Sequence, residues 1–382
     1  MATGILRANA ERFHLFFSAR ANAERRMAEP YHADPNYRAG VVAVMSAQSS
    51  MPPVVADLAP PPVTPLRYHH LGLVCRDVSA SAAFYSQLGF AAGDSESGAA
   101  KGEGVFTLTH VKGLQLHLIQ ADDVSRDANG CDNVLMDFPT LKHPGHTHAS
   151  WAVPSVPSVK AFMATLGIEP SGVRSTLAIF VRDPDRTTLE FERNDGLDEP
   201  PEVFTPDHIA DKRPLDHVGV RVSAPYDRHI EWYARHLGFT TKVAVYEPNL
   251  DPLKNFRPWV TRSAGGCDIN WIINANSPSP AAGEAPVNVL CKDGVLRPGI
   301  LYVAFAIAEL DAPKVCSILR AAGVDALLDT DLPMGWGDFP ASAVRVDAAA
   351  PTVMVRDLDG NIVRLVPSLA AHVSNLPLHC AE

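Results

Sequence analysis

Two hydrophobic rhythms recur along this chain in a fixed order. Apolar residues alternate over short stretches, as in half-buried strands, and then repeat near every 3.6 residues, as in amphipathic helices. The stretch "RYHHLGLVC" (67–75) reads as a strand, and "SASAAFYSQLGF" (79–90) as a short helix running into the next strand. Ala82, Phe84, Tyr85 and Leu88 form the helix's inward side, Ser79 and Ser81 offer N-terminal caps, and Gly89 stops it. The succession returns at 215–239 as "LDHVGVRVSAPYDRHIEWYARHLGF", with His217 falling on His70, Tyr233 on Tyr85 and Leu237-Gly238-Phe239 on Leu88-Gly89-Phe90.

The correspondence runs further. Residues 114–122 match 268–276, 133–153 match 288–307, and "RDPDRTTLEF" (182–191) matches "RDLDGNIVRL" (356–365). A spacing near 150 residues is too long for a stacked solenoid and indicates duplication of a domain. Each copy divides again, since strand, helix and three strands occupy 68–122 and then 147–193, the latter with helix 158–168. The expected fold is α+β, with four βαβββ units paired into two tandem modules at 65–198 and 213–370. An N-terminal extension (1–64) carries "ANAER" twice and a Pro-rich linker from 49 to 65, and a tail covers 371–382.

Composition narrows the function classes. With 46% hydrophobic and 20% charged residues, the chain has globular rather than disordered composition. A net charge of -10 argues against a nucleic-acid partner, which requires a basic face. No apolar run is long enough to span a bilayer. The six cysteines are scattered without a CxxC pair, which fits free thiols and a cytoplasmic setting. The Arg-rich start leaves an organelle transit segment as the alternative, although its acidic residues are unusual for one.

The chemistry-bearing stretch is "LKHPGHTHASW" (141–151), with His143, His146 and His148 in six residues. His143 precedes a proline and sits in extended or turn backbone, whereas His146 and His148 share a face of the strand that follows.

Taken together, His70 seven residues before Asp77, then Phe84-Tyr85 and Leu88-Gly89-Phe90, and finally Asp183-Pro184-Asp185 before a strand carrying Glu190, resemble the vicinal-oxygen-chelate superfamily. That superfamily includes glyoxalase I, methylmalonyl-CoA epimerase, extradiol dioxygenases and bleomycin-resistance proteins, and the resemblance covers about 67–368. It implies modules shaped as open cups of curved mixed sheet, each able to hold one divalent metal ion (Zn, Ni, Co, Mn or Fe). Carried onto this chain, the ligand positions are His70, Gln115, His148 and Glu190, with His117 as neighbour or substitute for Gln115.

In the second copy the equivalents read as Ile269, Trp271, Tyr302 and Arg364, beside the surviving His217, so the metal is expected in the first module alone. The second module's inward set offers either an anion or sugar site or a filled core. "GWG" at 335–337 suggests a mobile aromatic lid or a homodimer contact.

The ligand set resembles that of the metal-dependent epimerases. It implies proton removal α to a carbonyl through a metal-stabilised enediolate, on a small carbonyl substrate such as a cyclitol or sugar-derived ketone. His117, His146 and Glu103 are the candidate acid–base residues. The alternatives are a glyoxalase-type lyase, an Fe(II) extradiol dioxygenase, and a non-enzymatic sequestering protein.

Overall fold

The computed structural model describes residues 60–92, 105–121, 144–174, 178–193, 203–209, 214–223, 227–241, 259–273, 290, 296–332, 336 and 350–368. Four βαβββ units are present among them. Unit 1 comprises β1 (Pro65–Cys75), α1 (Val78–Gln87), β2 (Phe90–Ala92), β3 (Val105–His110) and β4 (Gln115–Gln120). Unit 2 comprises β5 (Gly145–Val153), α2 (Val156–Thr165), β6 (Gly172–Arg174), β7 (Ala178–Arg182) and β8 (Thr188–Arg193). Unit 3 comprises β9 (Leu215–Val222), α3 (Asp227–Leu237), β10 (Phe239–Thr241), β11 (Trp259–Ser263) and β12 (Asp268–Ile273). Unit 4 comprises β13 (Gly299–Ile307), α4 (Ala312–Ala321), β14 (Asp325–Leu328), β15 (Val353–Arg356) and β16 (Ile362–Pro367).

Local chemistry sets the helix ends. The cap of α1 is Asp77 rather than the serines, its carboxylate accepting from the Ala80 amide. Ser155 and Asp311 cap α2 and α4 in the same way, each with a proline in the first turn. Gly89 adopts φ +86 beyond α1, a left-handed exit that favours glycine.

The α+β class and the four units follow the sequence pattern, but the edges that join them do not run within each repeat. Unit 1 pairs with unit 4 through antiparallel β1 and β13, and unit 2 pairs with unit 3 through antiparallel β5 and β9. One cup therefore runs β2-β3-β4-β1-β13-β16-β15-β14, and the other runs β10-β11-β12-β9-β5-β8-β7-β6. Among the described residues a single bridge, Ile300 to His146, links the two. The cups cross the boundary expected between residues 198 and 213.

Consecutive units are held together by the D-x-D turns instead. Asp183 accepts from Tyr85 Oη (2.9 Å), and Asp185 accepts from the Arg76 amide (3.0 Å) and Ser81 Oγ (3.1 Å), tying unit 2 to unit 1. In the second repeat Asp357 accepts from Tyr233 Oη (3.0 Å), while Asp359 takes the Ser223 amide (2.6 Å) and lies 3.3 Å from His229 Nε2. Asp357 also receives the Asp359 and Asn361 amides and Asn361 Nδ2, all in the interior. Leaving such donors unpaired costs about 1–3 kcal/mol each. Asp357→Ala is therefore expected to destabilise the fold by roughly 3 kcal/mol or more, read from urea midpoints, whereas Tyr233→Phe costs about 1 kcal/mol.

One apolar core lies under both cups. Leu71, Leu73, Leu116 and Leu118 enter it from unit 1, Trp151 and Phe191 from unit 2, Val218 and Trp271 from unit 3, and Phe305 and Leu365 from unit 4. The residues alternating with these point into the cups.

Candidate metal centre

The unit 2–unit 3 cup gathers three nitrogen and oxygen donors. His148 projects from β5, Glu190 from β8 and His217 from β9. His148 Nε2 lies 3.1 Å from His217 Nε2 and 3.2 Å from Glu190 Oε2, and His217 Nε2 lies 3.1 Å from Glu190 Oε2. Donors about 2.0–2.2 Å from a common ion stand about 3 Å apart, so this near-equilateral triangle has the size of one face of a coordination shell.

Backbone register brings the three together. Ser150 lies level with Glu190 on one side and His217 on the other, and His148 lies opposite Gly219. A Cβ on Gly219 would stand 2.0 Å from His148 Cε1 and 2.3 Å from its Nδ1. The missing side chain is what lets the imidazole lie across β9 and reach His217.

Each imidazole is also held from behind. His217 Nδ1 lies 3.1 Å from Asp216 Oδ2 and 3.4 Å from Glu192 Oε2. His148 Nδ1 lies 3.1 Å from Thr147 Oγ1, which donates to the Gly219 carbonyl. Such partners fix which ring nitrogen faces the centre.

The electrostatics are those of an anionic nest. Burial works to raise the Glu190 pKa, but hydrogen bonds with His148 and His217 outweigh it and hold the carboxyl well below its usual range. Burial pulls His217 toward its neutral form, yet hydrogen bonds with Asp216 and Glu190 keep its pKa up at about 10. Burial dominates at His148 and lowers its pKa in spite of Glu190. Without an ion, the proton on His217 balances Glu190, and a divalent cation would take that proton's place. Ser150 Oγ is fully buried on the cup face and has no hydrogen-bond partner among the described residues.

The four expected ligands are thus divided. His148 and Glu190 stand together, joined by His217. His70 and Gln115 lie side by side in register in the other cup, because β1 pairs with β13 and not with β5. There His70 stacks on His117 with centroids 3.9 Å apart, and His117 Nδ1 lies 3.0 Å from Tyr302 Oη. His117 is consequently no acid–base group for the triad. His69, which strict strand alternation would put outside the cup, turns back to His70, with Nδ1 atoms 2.8 Å apart, at a bulge between Tyr68 and His70.

His146 is not near the triad either. A bulge between His146 and His148 reverses its face, so it lines a small core cavity with Val218, Val303 and Phe305. Burial holds its pKa down near 4. Glu103 and His143 lie outside the described residues.

The unit 1–unit 4 cup is filled. Arg364 stands where Glu190 stands in its counterpart and donates to Thr352 Oγ1 (2.9 Å) and Asp329 Oδ2 (3.2 Å). Val74, Ile119, Leu327, Met354 and Trp336 pack over the polar floor. Trp336, expected at a mobile tip, is only 4% exposed, with its Nε1 donating to Asp325 and Arg356 over its ring. Gly335 and Gly337 lie outside the described residues.

Register also shifts the inferred second-copy equivalents by one. Gln115 is level with His70 as Asp268 is with His217, so Asp268 and Asn270, not Ile269 and Trp271, occupy the cup positions. Asp268 is engaged by Arg262 (2.5 and 2.6 Å), while Ile269 and Trp271 belong to the core.

A two-cup α+β chain with a two-histidine, one-carboxylate cluster in one cup defines the class. Residues 67–191 match the family model of the Glyoxalase/Bleomycin resistance protein/Dioxygenase superfamily. This segment, which spans the first two units, is the part of the chain that resembles the vicinal-oxygen-chelate superfamily. Among solved structures it is similar to a "putative dioxygenase" from Bacillus subtilis subsp. subtilis str. 168, at 13% identity and TM-score 0.48, covering 80% of this chain and 86% of that one. It is also similar to glyoxalase I from Zea mays, at 14% identity and TM-score 0.45, covering 79% and 92%. The cppA protein from Streptococcus pneumoniae TIGR4 follows at 11% identity and TM-score 0.38, covering 80% and 99%. No curated protein matches the chain. Among the described residues, no helix is long and apolar enough to cross a membrane.

Proposed function

We propose that the chain is a divalent-metal-dependent enzyme whose substrate binds through two adjacent oxygens. We further propose that its chemistry is oxygen-dependent ring cleavage rather than epimerisation. The observation that carries this reading is the His148–Glu190–His217 triangle. Two imidazoles and one carboxylate on one face are the donor set suited to non-haem Fe(II), with positions left open for ligands. The epimerase reading needs a fourth ligand at Gln115 and bases at His117 and His146, all of which lie away from this triangle.

A bound ion would supply Lewis acidity and a docking point for vicinal oxygens. The chain's own residues do the rest. Glu190 provides the negative charge, Asp216 and Glu192 hold His217 by its Nδ1, and Thr147 fixes His148. Ser150, level in register with Glu190 and His217, offers its Oγ as a hydrogen-bonding group on the cup face. A sequestering protein without chemistry has no need of a carboxylate buried between two imidazoles.

The test is anaerobic reconstitution with Fe(II), followed by oxygen-electrode assays over a panel of catechols. Uptake of one O₂ per catechol, lost in Glu190→Ala, is the expected result. Proton exchange at the α-carbon of a hydroxyketone in D₂O, with no oxygen uptake on any catechol, would return the epimerase reading.

A further inference from the structure

The two cups act as an internal control, since one holds the triad and the other is filled. Strand β9 presents His217, Gly219 and Arg221 to its cup, and β1 presents His70, Gly72 and Val74 at the same levels. The first two pairs are identical between the copies. Gly72 makes room for the Tyr302 ring as Gly219 does for His148, its Cβ position lying 2.3 Å from Tyr302 Cε1. The third pair breaks the pattern, with an apolar valine in the filled cup and an arginine in the other.

Arg221 is 4% exposed, flanked in sequence by the core residues Val220 and Val222, which direct its side chain to the cup face. Opposite it on β5 is Gly145, which adds no side chain. Arg221 lies two pair levels beyond the His148–Gly219 level, on the same face of β9 as His217 and Gly219.

Charge is graded along this cup. Asp216 and Glu192 lie at the end beyond His217, and Arg221 lies at the opposite end, beyond His148. A second difference points the same way, because Ser150 stands where the filled cup has Ala304. Both are level with a first-strand histidine and with the last-strand Glu190 or Arg364. A ligand lying along the cup over the triad meets a positive group at one end and carboxylates at the other.

We infer that the substrate carries a carboxylate group that pairs with Arg221, so the site takes an acid such as a dihydroxy-aromatic carboxylate. This rests on reading the triad as a metal centre. A planar guanidinium is suited to bidentate pairing with a carboxylate, and a charge-assisted pair removed from water outweighs neutral contacts.

The test is calorimetric and separates the two readings. The full chain, loaded with Co(II) under anaerobic conditions, is titrated with 3,4-dihydroxybenzoate and with catechol. The carboxylated probe is expected to bind about 10- to 100-fold tighter. Arg221→Met is expected to erase that preference with its Co(II) content unchanged, and Arg221→Lys to keep part of it. Equal affinity for the two probes in the wild type overturns the inference, as does a preference that survives Arg221→Met. If Arg221→Met fails to fold, Arg221→Lys decides: a reduced preference supports the inference, and a preference undiminished from the wild type overturns it. Benzoate, which lacks vicinal oxygens, is titrated into metal-free protein as a separate arm. If the chain takes up no Co(II) but binds benzoate less tightly as Arg221→Lys, the metal reading fails and the carboxylate site stands.

Discussion

His217→Ala is expected to empty the metal centre, while His70→Ala leaves it loaded. The two histidines occupy the same position in the two repeats, and both are 2% exposed. Only His217 has a carboxylate and a second imidazole within 3.2 Å of its Nε2. His70 stacks on His117 above a floor that contains Arg364, where a cation would be repelled. Loss of a direct ligand should exceed the 10- to 100-fold cost typical of removing a residue that merely supports one. The measurement is metal per chain by mass spectrometry after dialysis against a buffered Co(II) or Fe(II) pool. A His70→Ala protein that loses its metal as fully as His217→Ala would show that the two cups share one site. His217→Ala should also weaken the metal-free fold, because it strips Glu190, 4% exposed, of the imidazolium beside it. Breaking a buried pair from one side costs about 3–5 kcal/mol.

The fold is legible in the chain because repetition is a strong signal. Four strand–helix–strand passages with matching Tyr85 and Tyr233, and matching D-x-D turns, leave little freedom in the units themselves. Two of the three donors of the candidate centre, His148 and Glu190, are legible as well. The pairing of the units is not, because neighbours in sequence do not make one cup here. Sequence periodicity specifies which face of a strand is polar, but says nothing of which edge that strand will join. The internal repeat already sets His217 opposite His70, so its identity can be read from the chain and its partners cannot.

The other departures are local. Bulges on β5 and β1 reverse the alternation that assigns His146 to the cup and His69 to the outside. A one-residue slip between β4 and β12 exchanges Asp268 for Ile269, which is enough to trade a cup residue for a core residue.

Fold and centre meet most tightly at Gly219, and Gly219→Ala is expected to cost both. An added methyl would sit 2.0–2.7 Å from three atoms of the His148 ring. The backbone cannot yield easily, because β9 is paired on one side with β5 and on the other with β12. The ring must therefore swing away, abandoning Thr147 and the approach to His217 and Glu190. Overpacking of this kind costs about 1–3 kcal/mol of stability, and displacement of a ligand should lower metal affinity by roughly 100-fold or more. Gly72→Ala supplies the matched control, since its methyl would meet the Tyr302 ring in the filled cup at 2.3–2.6 Å. Thermal melts should show both variants destabilised, and metal analysis should show only Gly219→Ala depleted. Equal metal loss in the two would mean that general destabilisation releases the ion. Full retention in Gly219→Ala would mean that His148 is no ligand, since its ring cannot keep this position beside an added Cβ.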